Sequence, residues 1–252
     1  MNTKPFLFLL SGLLLVSILT ACNDDADRFE RIDRLRVLGI VRTPSIASFS
    51  DTTISSTWLV ATPNQTDAVT ATNVLDTEAL ISLPLNSTNI TSTKTTYGNI
   101  DIHEVTADTT FAPAFPLPVG PSGEQRFRIS IKASQGTESV QAVSDILRFP
   151  NNFESLNLVG QEPSITVSNE TKTQAYDADS EEIDLKCDIV TPSDEDFKIS
   201  WYTTAGKIEN TKACETIMKP DFAKSGETHA IIVCVRGNKT RSTSCDYVDV
   251  QF

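Results

Sequence analysis

Five cysteines hold most of the reactive chemistry in this chain of 252 residues, and they fall into two groups. Cys22 stands alone, at the end of an apolar run from Phe6 to Leu19 that follows Lys4. Cys187, Cys214, Cys234 and Cys245 all lie in the last 66 residues. A lone thiol directly after an apolar run is set apart from the other four by its position. An even set of thiols in an exported chain closes disulfides. None of the four is spaced C-x-x-C, as zinc and thioredoxin sites require. Four cysteines allow three pairings, and spacing alone does not choose among them.

Other reactive groups are sparse. The two histidines, His103 and His229, belong to no metal-ligand spacing, and a lone strand histidine is usually structural. There is no G-x-S-x-G elbow, P-loop or Rossmann glycine pattern. The chain is therefore read as non-enzymatic, with no catalytic residue and no cofactor. Asp177, Asp179 and Glu181 are weak calcium candidates, because hard cations take several oxygens from one loop. The run Asp194-Glu195-Asp196 is a second such stretch. Neither matches the D-x-[DN]-x-[DN]-G loop, and solvated loops are the plainer reading. Tyr202 and Tyr97 are the aromatics that could face a sugar, whereas Trp58 and Trp201 are expected in cores.

Lys4, the apolar run and the sequence Leu19-Thr20-Ala21-Cys22 form a secretory leader. The run is shorter than the roughly 20 residues of a membrane span. The tetrapeptide resembles the lipobox of bacterial lipoproteins. That resemblance implies cleavage after residue 21 and acylation of Cys22. Two chains already hold a protein stably, at about 0.8 kcal/mol per buried methylene. The implied address is the cell envelope, with the outer membrane favoured because Asn23 rather than Asp follows the cysteine. Residues 22–36 are read as the lipidated N-terminus and a polar tether, in which Phe29, Ile32 and Leu35 recur every three residues.

Composition narrows the partners. The formal charge of −12 argues against nucleic acid, whose phosphates require clustered Lys and Arg. It also disfavours adsorption to anionic lipid, leaving the acyl anchor as the link to the membrane.

From Val37 the chain consists of short β-type runs separated by turn residues. In 53–62, Ile54, Ser56, Trp58 and Val60 share a face. In 125–134, Phe127, Ile129 and Ile131 oppose Arg126, Arg128 and Lys132. This is the two-residue period of half-buried strands. Further runs lie at 36–41, 78–85, 99–105 and 139–149, followed by a break at Pro150-Asn151-Asn152. A second series covers 155–167, 182–190, 197–206 and 229–252, the last being a hairpin that turns near Gly237-Asn238. The expected fold is all-β: a β-sandwich over 37–150 and a second over 151–252. In the run 229–235, Ala230 and Ile232 alternate with Ile231, Val233 and Val235, so both faces are apolar. Such a strand needs cover on its outer side, and contact with the first sandwich is the favoured source.

Cys187, Trp201 and Cys234, separated by 14 and 33 residues, resemble the B-strand cysteine, C-strand tryptophan and F-strand cysteine of immunoglobulin domains. The resemblance implies a Cys187–Cys234 bond between opposing sheets, with a loop-closure value of roughly 4 kcal/mol, and pairs Cys214 with Cys245. A bond across the hairpin, Cys234 to Cys245, stays open. The family's tyrosine two residues before the second cysteine is absent; Ile232 stands there. The whole resembles a bacterial lipoprotein with tandem immunoglobulin-like or fibronectin-like domains. It is expected to serve in binding, adhesion or scaffolding with a protein partner of the envelope. The alternative is a carbohydrate-binding surface lipoprotein.

Overall fold

The computed structural model describes residues 31–63, 67–73, 90–110, 123–191 and 195–252. Its first eight strands are β1 (Arg36–Thr43), β2 (Ala47–Ser48), β3 (Thr53–Pro63), β4 (Thr70–Asn73), β5 (Thr91–Tyr97), β6 (Ile100–Thr110), β7 (Gln125–Gln135) and β8 (Glu138–Phe149). The sheet β1-β3-β6-β5 faces the sheet β2-β8-β7-β4. Alternation places the core between them. Ile54, Trp58 and Val60 of β3 and Val105 and Ala107 of β6 meet Phe127, Ile129 and Ile131 of β7. Arg148 of β8 closes one end, donating to the carbonyls of Ser48, Phe49 and Asp51 and holding the loop before β3.

The second sandwich comprises β9 (Ser164–Val167), a one-turn helix α1 (Asn169–Thr173), β10 (Ile183–Val190), β11 (Phe197–Thr203), β12 (Lys207–Ile208), β13 (Glu215–Lys219), β14 (Thr228–Gly237) and β15 (Thr243–Gln251). The sheet β12-β13-β10-β9 packs on β11-β14-β15. Trp201, Leu185, Met218, Ile231, Val233 and Val235 share one core. The Trp201 indole donates to the Ala213 carbonyl at 2.8 Å, which satisfies its one polar atom. The described residues thus form two β-sandwiches, as the alternation predicts.

The disulfides differ from the immunoglobulin pairing. Cys187 bonds to Cys214 and Cys234 to Cys245. Strand parity explains the difference. Cys187 shares the inward face of β10 with Ile183 and Leu185. Cys234 follows Ala230 and Ile232 on the outward face of β14, away from that core. No bond can therefore run from Cys187 through the sandwich to Cys234. Instead Cys234 stands directly opposite Cys245 in the β14–β15 ladder, with Cα atoms 4.1 Å apart. Cys214 lies just before β13, beside β10, and its carbonyl accepts from the Cys187 amide at 3.0 Å. Each bond links neighbouring segments and closes a shorter loop, with separations of 27 and 11 residues. The chain-entropy model then gives about 3.5 and about 3 kcal/mol.

The last part of the expected tether is also folded. Ile32 and Leu35 are buried, the Ile32 amide donates to the Thr203 carbonyl at 3.2 Å, and Arg31 sits over the Phe222 ring. Cys22, the leader and the run 78–85 lie outside the described residues.

Candidate functional site

The outward face of β14 is covered by the first sandwich. Ala230, Ile232 and Cys234 pack against Leu38, Leu59, Ala61, Ile100 and Ile102, with Ile32 completing the cluster. These residues follow from β3 and β6 being apolar on both sides. Ile54, Trp58 and Val60 face their own core, and Leu59 and Ala61 face the neighbouring sandwich. Two glycines permit the close approach. A side chain at Gly39 on β1 would overlap Thr243 on β15. One at Gly98, which has φ +51° in the β5–β6 turn, would strike the His229 backbone on β14. Polar contacts fix the register. The Ile40 amide donates to Thr243 Oγ1 at 3.3 Å, and Thr204 Oγ1 donates to Asn99 Oδ1 at 2.5 Å. Tyr97 and Tyr247 stack with centroids 4.6 Å apart.

Beside this seam runs a groove between β1 and β8 on one side and β11 and β14 on the other. Two adjoining chambers, ≈ 480 and ≈ 440 Å³, share Val37, Val140, Ser200 and Tyr202. Arg34, Arg36, Ser139 and Thr211 line the first chamber. Arg42, Gln141, Lys198, Arg236, Arg241 and Thr243 line the second. The second chamber therefore gathers four cations in a protein whose formal charge is −12.

Arg42 is the most confined of the four, 5% exposed. It reaches across the open edge of the first sandwich from β1 and donates to Ser144 Oγ on β8. Its Nε has no partner among the described residues. Burial, then the nearby Arg236 and Arg241, lower its pKa to about 10, with Asp145 acting in the opposite direction. Arg236 is lowered by burial and then by Arg241. Asp145 is already engaged, pairing with Arg128 at 3.0 Å. Glu138 accepts the Leu35 amide at 2.9 Å. Among the described residues, Arg42, Lys198, Arg236 and Arg241 make no ion pair.

The hairpin that carries Arg241 is pinned. Glu195 Oε1 accepts from the Lys239 amide at 2.8 Å and the Thr240 amide at 3.2 Å. The Asn238 amide donates to the Asp196 carbonyl at 2.8 Å. The expected calcium stretch at 194–196 thus contributes a turn anchor, with Asp194 outside the described residues. Asp177, Asp179 and Glu181 are exposed, and Asp177 Oδ1 caps the Asp179 amide at 3.0 Å. They do not converge, and no group of three His, Cys, Asp or Glu converges elsewhere among the described residues.

Trp58 and Trp201 are fully buried. Tyr202 lies half-buried at the seam and lines the groove, its phenol pKa raised by burial, while Tyr97 is taken up by its stack with Tyr247. Neither stands free as a sugar platform. His103 is buried beside Asp101, which pairs with Lys94 at 3.1 Å, and desolvation lowers the His103 pKa. His229 joins Thr204 at 3.0 Å and Glu227 at 3.2 Å.

The cation cluster was not anticipated from the sequence. Its members come from positions 42, 198, 236 and 241, so no short window of sequence contains it. Basic residues at the end of a two-sided apolar strand and in the turn after it are the signal that points to Arg236 and Arg241.

No family model matches the chain, and no curated protein matches it. Among solved structures it is similar to fibronectin(III)-like modules of Clostridium thermocellum CbhA, at 14% identity and TM-score 0.28, covering 84% of this chain and 94% of that one. It is similar to the YadV chaperone, at 9% identity and TM-score 0.30, covering 84% of this chain and 100% of that one. A SusE-like surface-located polysaccharide-binding protein from the heparin utilisation locus of Bacteroides thetaiotaomicron matches at 14% identity and TM-score 0.25, covering 86% of this chain and 34% of that protein.

Proposed function

We propose that this protein is a non-enzymatic lipoprotein of the bacterial envelope. Acyl chains on Cys22 hold it to the outer membrane, and its two sandwiches form a rigid binding body. The observation that carries the binding role is the seam. Buried apolar contacts lock the sandwiches together and leave a preformed groove with a fixed cation arrangement beside them. Preformed concave sites of this kind are where ligands bind. The leader and the Leu19-Thr20-Ala21-Cys22 sequence support the anchoring. The ligand is a component of the envelope or its surroundings, a carbohydrate or a protein partner.

Mass spectrometry of the N-terminal peptide from native membranes tests the anchor. The expected peptide begins at Cys22 and carries acyl mass. A peptide beginning at Cys22 with a free thiol and amine, or a retained leader, overturns it.

A further inference from the structure

We propose that the groove between the sandwiches binds an acidic polysaccharide, with Arg42, Lys198, Arg236 and Arg241 grasping the carboxylate or sulfate groups of its sugars. This rests on the binding role proposed above and names the ligand class.

The groove carries charge that folding does not require. Lys198 and Arg236 face each other directly across the β11–β14 ladder. Like charges so placed destabilise a sheet. Arg241 and Arg42 add two guanidiniums to the same chamber, and none of the four has a carboxylate partner among the described residues. Arg42 is taken from water with only Ser144 Oγ accepting from its guanidinium and its Nε without a partner among the described residues. A buried cation without a counter-charge is costly, and an oxyanion in the chamber removes that cost. Guanidinium groups suit carboxylate and sulfate because their paired N–H donors match two oxygens.

The walls point to a sugar chain. Ser139, Gln141, Ser200, Thr211 and Thr243 supply hydroxyl and amide groups along both chambers. Such groups hydrogen-bond to hydroxyl-bearing ligands. The second cation pair, Arg34 and Arg36, sits in the adjoining chamber. An extended ligand with repeated charges therefore fits better than a single small ion. The net charge of −12 disfavours adsorption of polyanions away from the cationic groove.

Calorimetric titration of the full chain in neutral detergent tests the proposal, with oligogalacturonate, dextran sulfate, neutral dextran and polyglutamate as probes. The comparison variant carries Lys198→Gln, Arg236→Gln and Arg241→Asn, the last because Asn tolerates the left-handed backbone of Arg241, φ 55°. Both acidic glycans are expected to bind the parent protein. Each lost charge-assisted contact weakens binding about tenfold, so the triple variant binds at least about a hundredfold more weakly, at a melting temperature equal to or slightly above the parent's. Arg42→Met is a second variant, expected to weaken binding while leaving the seam intact. Equal affinity of parent and triple variant overturns the site, as does no binding of either acidic glycan. Equal affinity for neutral dextran overturns charge recognition, and tighter binding of polyglutamate overturns the assignment to a glycan. The N-terminal mass is read on the same preparation. Acylated Cys22 with no glycan binding removes the groove and leaves the anchored body standing. Unmodified Cys22 with glycan binding does the reverse.

Discussion

Lys198 and Arg236 are direct partners on neighbouring strands, two cations facing outward from one sheet, and neither makes an ion pair among the described residues. Opposed like charges cost roughly 0.2–1 kcal/mol in a sheet. Replacing Lys198 with Thr, a good strand residue, is therefore expected to stabilise the fold by about 0.5 kcal/mol at low salt. The gain should shrink in 1 M salt, where the screening length falls to about 3 Å. Urea melts at the two ionic strengths measure it. A loss of stability at low salt would show that the pair is not repulsive.

The disulfide pattern gives a second outcome. Non-reducing peptide mapping is expected to recover Cys187 with Cys214 and Cys234 with Cys245. Paired replacement of Cys234 and Cys245 by Ala should lower stability by about 3 kcal/mol. Recovery of a Cys187–Cys234 peptide would mean that β14 is turned over, with Ile231 and Val233 outside.

The same strands show how much of the fold is legible in the sequence. β3, β7, β8, β10, β11 and the final hairpin were legible because Ile54-Trp58-Val60 or Phe127-Ile129-Ile131 repeat at the strand period. β5 was not, since Thr91–Tyr97 is a polar edge strand with no apolar alternation. The two apolar faces of β14 were legible, and so was the need for cover, which the seam supplies. The pairing of Cys187 with Cys234 failed because spacing along the chain carries no information about which face a cysteine occupies. Parity with Ile232 does carry it. The cation groove was hidden because net charge averages over the surface, and its four residues meet only after β1 docks against β14 and β15.

His103 makes a pH prediction. Burial lowers its folded pKa below the ordinary 6.5, against the opposing pull of Asp101 and with a smaller push in the same direction from Lys94. As pH falls below about 6.5, the unfolded chain takes up the proton first. Stability therefore falls with pH from about 6.5 down through the folded pKa, and above 6.5 this residue adds no slope. His103→Gln is expected to flatten that part of the stability profile. An NMR titration showing His103 at or above 6.5 would contradict it.

The seam itself can be tested by separating its opening from global unfolding. Ile232 is fully buried between the sandwiches, on the side of β14 away from its own core. Ile232→Ala removes apolar contacts from both, and such truncations cost about 2–5 kcal/mol. Gly98→Ala attacks the same contact differently, since φ is +51° and a Cβ there meets the His229 backbone. The expected cost is about 1–3 kcal/mol. If the seam is what fixes the groove, both variants raise amide exchange at Ile32, which donates to Thr203 across the junction. Amides of β7, whose Phe127, Ile129 and Ile131 face only the first core, keep their protection. Acidic-glycan affinity falls with the loss of seam protection, because Arg42 comes from one sandwich and Arg236 from the other. Faster exchange spread evenly over β7 and the seam would mean that the sandwiches unfold as one unit, and the groove would then have no independent opening to measure.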